Sequence, residues 1–241
     1  MLVSLVIPFY NEEQCFNKVV DPLIEILDTN QIDYELALVD NGSWDNTGKL
    51  IDQKLATNPR IKKIRVEVNQ GYGWGILTGL RKCQGAYLGY LCGDGQIKPD
   101  DVVKTIRHIV QNDSDFVKVR RVKRMDHALR RWVSKLYDLT FPLIFSLKIR
   151  DLNGTPKLFK RQYLDVFDLQ SRDWFLDPEI LIKSELLKLK IDEIPVIFYS
   201  RLGGSSHVSL LRDIWQFASN AYRFRTSREF AEWKKKRVSR N

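Results

Sequence analysis

Four polar residues in the first hundred positions stand where a catalytic rim could form. They are Asn11, Asp40, Asn69 and Asp94, and each directly follows or ends an apolar run. The last is the most telling. Tyr87 to Cys92 reads as a buried strand that stops at Gly93-Asp94-Gly95-Gln96, and Pro99-Asp-Asp then opens a helix. A carboxylate is thereby left at the carboxyl end of a strand, the edge of an open α/β sheet where ligands bind. Glycines on both sides allow backbone to approach a ligand closely. A hard carboxylate oxygen at that edge suits a hard divalent cation such as Mg2+ or Mn2+.

Elements that would position these residues follow from periodicity. Strands are predicted over Leu2–Ile7, Tyr34–Val39, Ile61–Val68, Tyr87–Cys92, Asp115–Arg120, Pro156–Lys160 and Ile191–Tyr199, the last marked by Pro195 as a sheet edge. Helices are predicted from about Glu12 to Asp28, to Ala56, from Tyr72 to Cys83, from Asp101 to Gln111, from Ala128 to Leu147, up to Leu189 and from Ser209 to Phe224. Strand alternating with helix predicts an α/β fold with a mostly parallel, Rossmann-like sheet and right-handed crossovers. Arg121 to Met125 reads as basic and irregular, and Cys92 as a strand residue.

Charge is unevenly placed. The net charge is +9, yet Lys118 to Lys135 carries eight Lys/Arg against one Asp, and Arg223 to Asn241 eight against two Glu. The rest of the chain is therefore net acidic, and two local surfaces seek anions such as phosphorylated ligands or acidic headgroups. The Lys234–Arg237 run is expected to be a basic tail. No helix-turn-helix, RNP or zinc pattern accompanies the charge, so nucleic acid is not an expected partner. Cys15, Cys83 and Cys92 form no metal-type spacing and no disulfide framework, which fits a reducing compartment. The opening run lacks a basic start and reads as a strand, not a signal peptide, and no stretch nears the ~20 apolar residues a membrane span needs. The segment Leu139–Leu147 is apolar nearly all round and suits either core or a membrane interface.

Taken together, the motifs resemble family 2 glycosyltransferases of the GT-A fold, over roughly residues 2–207. They are Val3-Ser-Leu-Val-Ile-Pro-Phe-Tyr-Asn-Glu-Glu13, Val39-Asp-Asn-Gly-Ser-Trp-Asp-Asn-Thr47, Asn69-Gln-Gly-Tyr-Gly-Trp-Gly-Ile-Leu-Thr-Gly79, Gly93-Asp-Gly-Gln96 and the Arg-x-x-Gly-x-Ser loop from Arg201 to His207. Within the family the chain is most similar to the branch of dolichyl-phosphate mannose synthase and bacterial polyprenyl-phosphate sugar transferases.

That resemblance implies a single GT-A domain over 1–207, with a nucleotide-binding half near 1–100 and an acceptor half near 101–207, followed by a C-terminal helix and tail at 208–241. It implies a nucleotide-diphosphate-sugar donor, inversion at the anomeric carbon, and a polyprenyl phosphate acceptor at an anionic membrane surface, with the protein cytoplasmic and peripheral. Pro8, Tyr10, Asn11, Glu12, Asp40, Asn41, Ser43, Asn69, Gly71, Gly75, Gly93 and Gln96 would line the donor pocket, and Asp94 would hold the divalent metal. Arg120, Arg130, Ser134 and Arg201 would contact the acceptor, with Arg201 in a loop that closes over both substrates.

Two departures stand out: Cys92 replaces the first Asp of the family's Asp-x-Asp motif, and Asn41 replaces the second Asp of Asp-Asp-Gly-Ser. Two acceptor readings stay open. A lipid phosphate needs cations and no general base, whereas a sugar hydroxyl of a growing polysaccharide needs a base, for which Asp177 or Glu179 is the candidate. Of the histidines, only His207 lies in a suggestive loop; His108 and His127 read as surface residues.

Overall fold

Seven strands form one sheet in the order β3-β2-β1-β4-β6-β5-β7. The computed structural model describes residues 1–124, 145, 149, 151–203 and 210–238, with backbone alone at 124 and 210–217. In chain order the elements are β1 (Val3–Phe9), α1 (Phe16–Thr29), β2 (Tyr34–Asn41), α2 (Thr47–Thr57), β3 (Ile61–Val66), α3 (Tyr72–Leu80), β4 (Tyr87–Tyr90), α4 (Pro99–Gln111), β5 (Phe116–Arg124), β6 (Lys157–Lys160), α5 (Leu164–Phe167), α6 (Leu176–Leu186), β7 (Ile191–Phe198), α7 (Leu210–Thr226) and α8 (Arg228–Arg237). Of the predicted helix over 128–147, only Phe145 is described, helical and packed against the core, and the other positions fall outside the described residues.

The apolar runs become strands because both faces are covered. On one face Leu5, Ile7 and Phe9 pack with Phe16, Leu23, Val102 and Ile106 of α1 and α4. On the other, Val6 and Val39 pack with Ile76 and Leu80 of α3, joined by Phe175, Ile180 and Leu181 around α6. A strand buried on both sides gains on every residue, which is why β2 is buried along its whole length. Strands β1, β2, β3 and β4 are mutually parallel, so their carboxyl ends share one edge.

The structure departs from the sequence expectations in five places. Strand β6 runs antiparallel to both β4 and β5, reversing direction in the middle of a mostly parallel sheet. Strand β5 continues through the basic residues to Arg124 by pairing with β7 across a bulge between Arg121 and Lys123. Helix α1 begins at Phe16, not Glu12, because the Asn11, Glu12 and Glu13 amides are taken by Ser43 Oγ, Thr47 Oγ1 and Asp45 Oδ2 at 3.0–3.1 Å. Cys92 lies beyond the end of β4. The basic tail is helix α8, capped by Ser227 accepting from the Phe230 amide. Its Lys234–Arg237 run sits in the last turn, where cations complement the helix dipole. Pro195 does lie on an edge strand, β7.

Helix α6 is anchored by a buried ion pair. Glu179 is 0% exposed and accepts from Lys183 Nζ at 2.6 Å and from the Gln170 and Ser171 amides at 2.8–3.2 Å. Lys183 in turn lies under the rings of Trp233 and Phe224, which tie α8 and α7 to the core. Removing one partner of such a pair strands the other charge in the interior. Glu179→Ala is expected to cost about 3–5 kcal/mol, read as a lowered urea midpoint at unchanged slope, with much of the loss recovered in the Glu179→Ala/Lys183→Met double variant.

Candidate active site

The parallel strands deliver their last residues to one rim, and side-chain contacts sew those ends together. After β1, the Asn11 amide donates to Ser43 Oγ at 3.1 Å and Asn11 Oδ1 accepts from the Trp44 amide at 3.0 Å, with Asn11 in the left-handed region at φ 54°. Asp40, 1% exposed, accepts from the Ser43 amide at 2.9 Å and faces Arg65 at 3.4 Å. It holds the loop that follows β2 and points away from open solvent. Next to it, Asn41 Nδ2 donates to Gly71 O at 3.1 Å and reaches Asn69 Oδ1 at 3.5 Å, while Asn69 Oδ1 also accepts from the Gly71 amide at 2.8 Å. Gly75 backs the Asn41 amide, where a Cβ would lie 3.0 Å from Cγ. Asn41 Oδ1 is buried and has no hydrogen-bond partner.

At the end of β4, Asp94 Oδ1 accepts from the Gln96 amide at 3.2 Å, and Oδ2 faces Arg201 Nε and Nη2, each at 3.5 Å. Arg201 Nη2 is also 3.8 Å from Glu12 Oε1. Cys15 Sγ donates to Glu12 Oε2 at 2.9 Å, and burial together with that carboxylate pushes its thiol up to about 12. Cys92 turns inward, with Sγ 3.5 Å from Tyr72 Oη and 3.7 Å from Thr155 Oγ1; burial, helped by Asp94, raises its thiol to about 12, so it stays protonated.

The two candidate bases are inside the protein. Asp177, 2% exposed, accepts from Tyr90 Oη at 2.8 Å and pairs with Lys157. Burial lowers the Lys157 ammonium, opposed by Asp177 itself. Glu179 is consumed by Lys183 and two backbone amides, as described. Both Glu179 oxygens are engaged, Asp177 Oδ1 accepts from both Tyr90 and Lys157, and both side chains are buried.

The family model described as "Glycosyl transferase family 2" matches residues 4–168. The chain belongs to glycosyl transferase family 2. It is 27% identical over 208 residues to a dolichyl-phosphate beta-glucosyltransferase of Trichomonas vaginalis, covering 80% of this chain and 64% of that protein. It is 28% identical over 215 residues to an undecaprenyl-phosphate 4-deoxy-4-formamido-L-arabinose transferase of Pseudomonas fluorescens, covering 87% and 61%. The family 2 chain thus spans less than two thirds of the length of these curated relatives. Among solved structures, glucosyl-3-phosphoglycerate synthase from Mycobacterium tuberculosis, crystallised with Mn2+, UDP-glucose and phosphoglyceric acid, superposes with a TM-score of 0.69 at 18% identity, over 93% of this chain and 79% of that one. The architecture is the GT-A fold.

Residues expected at the site of this family 2 member fall into three groups. Asn11, Glu12, Ser43, Asn69, Gly71, Gly93, Asp94, Gln96 and Arg201 lie on the rim loops, with Pro8 and Tyr10 at the end of β1. Arg120 lies on β5, 3.6 Å from Glu193. Arg130, Ser134 and His207 fall outside the described residues, as does His127; His108 pairs with Asp192 at 3.0 Å.

The donor set tests whether a divalent ion fits. Asp94 and Glu12 bring two carboxylates, both already facing the Arg201 guanidinium, and Cys92 brings a protonated thiol engaged with Tyr72 and Thr155. Among the described residues no group of three or more His, Cys, Asp or Glu could hold a metal ion. The described residues by themselves supply too few oxygen ligands to hold a hard divalent cation, which takes oxygen ligands in number.

Sequence reading missed Lys157, Tyr72 and Trp174. Trp174 stacks on Tyr72 at 4.1 Å between centroids, beside Cys92. The available signal for Lys157 was its place in the short apolar run before Phe159, where an inward lysine demands a buried carboxylate.

Restoring the family's second Asp is expected to be harmful. An Asn41→Asp carboxylate would face two acceptors, Gly71 O and Asn69 Oδ1, with no donor. Its folded pKa would lie above the unfolded value, so the native state would hold the proton more tightly. The variant should match wild type best below about pH 4 and lose stability relative to it as pH rises toward about 8, measured by urea unfolding at both ends.

Proposed function

We propose that this chain is an inverting glycosyltransferase that moves a sugar from a nucleotide-diphosphate-sugar to a polyprenyl phosphate at a membrane face. One observation carries the choice of acceptor: Asp177 and Glu179, the carboxylates that could act as a base, are both buried and already paired with lysines. A sugar hydroxyl must give up its proton to a base as it attacks. A phosphate oxygen is already anionic at neutral pH and attacks without one. The names of the two relatives, a dolichyl-phosphate and an undecaprenyl-phosphate transferase, support the same acceptor class.

In this reading Pro8, Tyr10, Asn11, Glu12 and Ser43 line the nucleoside side of the rim, with Asp40, Asn41, Asn69, Gly71 and Gly75 holding its floor. Asp94, Gly93 and Gln96 meet the donor diphosphate together with Arg201. Arg120, Arg130 and Ser134 receive the lipid phosphate, for which the planar fork of arginine is well matched. Exposed Lys234, Lys235 and Lys236 on α8 add about 1 kcal/mol each toward anionic headgroups. No helix among the described residues is long and apolar enough to cross a membrane.

The test offers UDP-, GDP- and dTDP-sugars with either detergent-dispersed polyprenyl phosphate or soluble saccharides. Lipid-linked product of inverted anomeric configuration is expected. Asp177→Asn should lose stability, yet it should keep turnover far above the 10²- to 10⁴-fold loss that removal of a base would bring. Product on saccharides alone, abolished by Asp177→Asn, would overturn the reading in favour of polysaccharide extension.

A further inference from the structure

When the bond between a sugar's anomeric carbon and a diphosphate oxygen breaks, its electron pair stays on that oxygen. The leaving nucleoside diphosphate gains one negative charge, which must be met where it forms. A lone pair on the acceptor phosphate oxygen makes the new bond to carbon, and no proton needs to move. In the Asp-x-Asp motif that this stretch resembles, the two carboxylate positions for a divalent cation correspond to Cys92 and Asp94. Cys92 Sγ packs inward against Tyr72 Oη and Thr155 Oγ1, and sulfur is a poor ligand for a hard cation.

A protein cation stands at that place instead. The Arg201 guanidinium lies 3.5 Å from Asp94 Oδ2 and 3.8 Å from Glu12 Oε1, so carboxylates from the loops after β4 and β1 converge on one positive charge. Its loop is fastened to the very loop that carries Asp94. The Leu202 amide donates to Asp94 O at 3.3 Å, the Tyr199 amide to Gln96 O at 2.9 Å, and Gln96 Nε2 to Tyr199 O at 2.8 Å. Leu202 covers Gly95, where a Cβ would collide with Leu202 Cδ1. The side chain remains partly open to solvent, 28% exposed.

We propose that Arg201 is the resident cation of this site, receiving the donor diphosphate and neutralising the charge on the leaving oxygen in place of a protein-held divalent metal. This rests on the nucleotide-sugar reading above and adds to it the identity of the counter-charge. Asp94 and Glu12 then act by aiming the guanidinium. A planar fork matches two phosphate oxygens at once, which a compact ammonium does not.

Calorimetric titration with UDP, GDP and dTDP, in EDTA and then in Mn2+, decides it. One of these nucleotides should bind the wild type in EDTA, with Mn2+ changing its affinity little. Charge-assisted contacts of this kind are worth about tenfold to a hundredfold, so Arg201→Ala should lose that much affinity in EDTA at an unchanged melting temperature. Arg201→Lys should recover only part of it. In Cys92→Asp, binding should become responsive to Mn2+, and Mn2+ alone should be taken up, seen by loss of the free-ion paramagnetic resonance signal. Wild-type binding that appears only with Mn2+, or Arg201→Ala binding as well as wild type in EDTA, overturns the inference and leaves the donor reading intact. Failure of all three nucleotides under both conditions overturns both.

Discussion

A single carboxylate holds the rim of strand ends in place from underneath. Glu179, at the start of α6, gathers Lys183 and the amides of Gln170 and Ser171. It thereby fixes the loop over Gln170–Asp173. On that loop lies the start of α3: the Trp74 amide donates to Arg172 O at 2.8 Å, and any Cβ at Gly71 or Gly73 would strike its backbone. Those glycines are thus explained by close approach, and the close approach by one buried charge. From Gly71 the chain of contacts passes to Asn41 and Asn69 at the rim. Burying an ion is costly unless it is fully satisfied, and Glu179 meets that condition with three donors.

The centre of the sheet adds a second constraint. Lys118 on β5 and Lys157 on β6 are paired in register and fully buried. Like charges directly opposed would drive the strands apart. Each is answered by its own carboxylate, Lys118 by Glu193 at 3.0 Å and Lys157 by Asp177. Asp177 is therefore spoken for by the fold before any substrate arrives, and so is Glu179. The electrostatics of the interior thus engage both carboxylates inside the protein.

Much of this was legible in the sequence because it is local. Apolar runs ending in Asn, Asp or Gly named the parallel strands and their rim, and Pro195 named an edge. What was not legible depends on pairing between distant segments. Four residues such as Lys157–Lys160 carry no mark of direction, so the reversal of β6 could not be read. The irregularity expected after Arg121 overlooked that β7 supplies hydrogen bonds to a charged strand. Asp177 looks like a base on paper, since the lysine that occupies it lies twenty residues away on another element, whereas the Glu179–Lys183 pair is one helical turn apart and local. Arg201 was visible as a loop arginine, but its convergence with Glu12 and Asp94 required the strand ends to be brought together.

The reversed strand also orders events in time. As the chain is synthesised, β1 to β4 can pair as soon as they are made, each against a neighbour already present. Strand β5 cannot: its place beside β4 is reserved for β6, which emerges later, and its other partner β7 later still. The basic strand must therefore wait with both edges unsatisfied while the intervening segment is made. Such non-local pairing is slow, and transiently open edges invite association. Its run of lysines and arginines, read above as a surface for anions, serves in that interval as a gatekeeper, since like charge on an open edge repels another copy of itself.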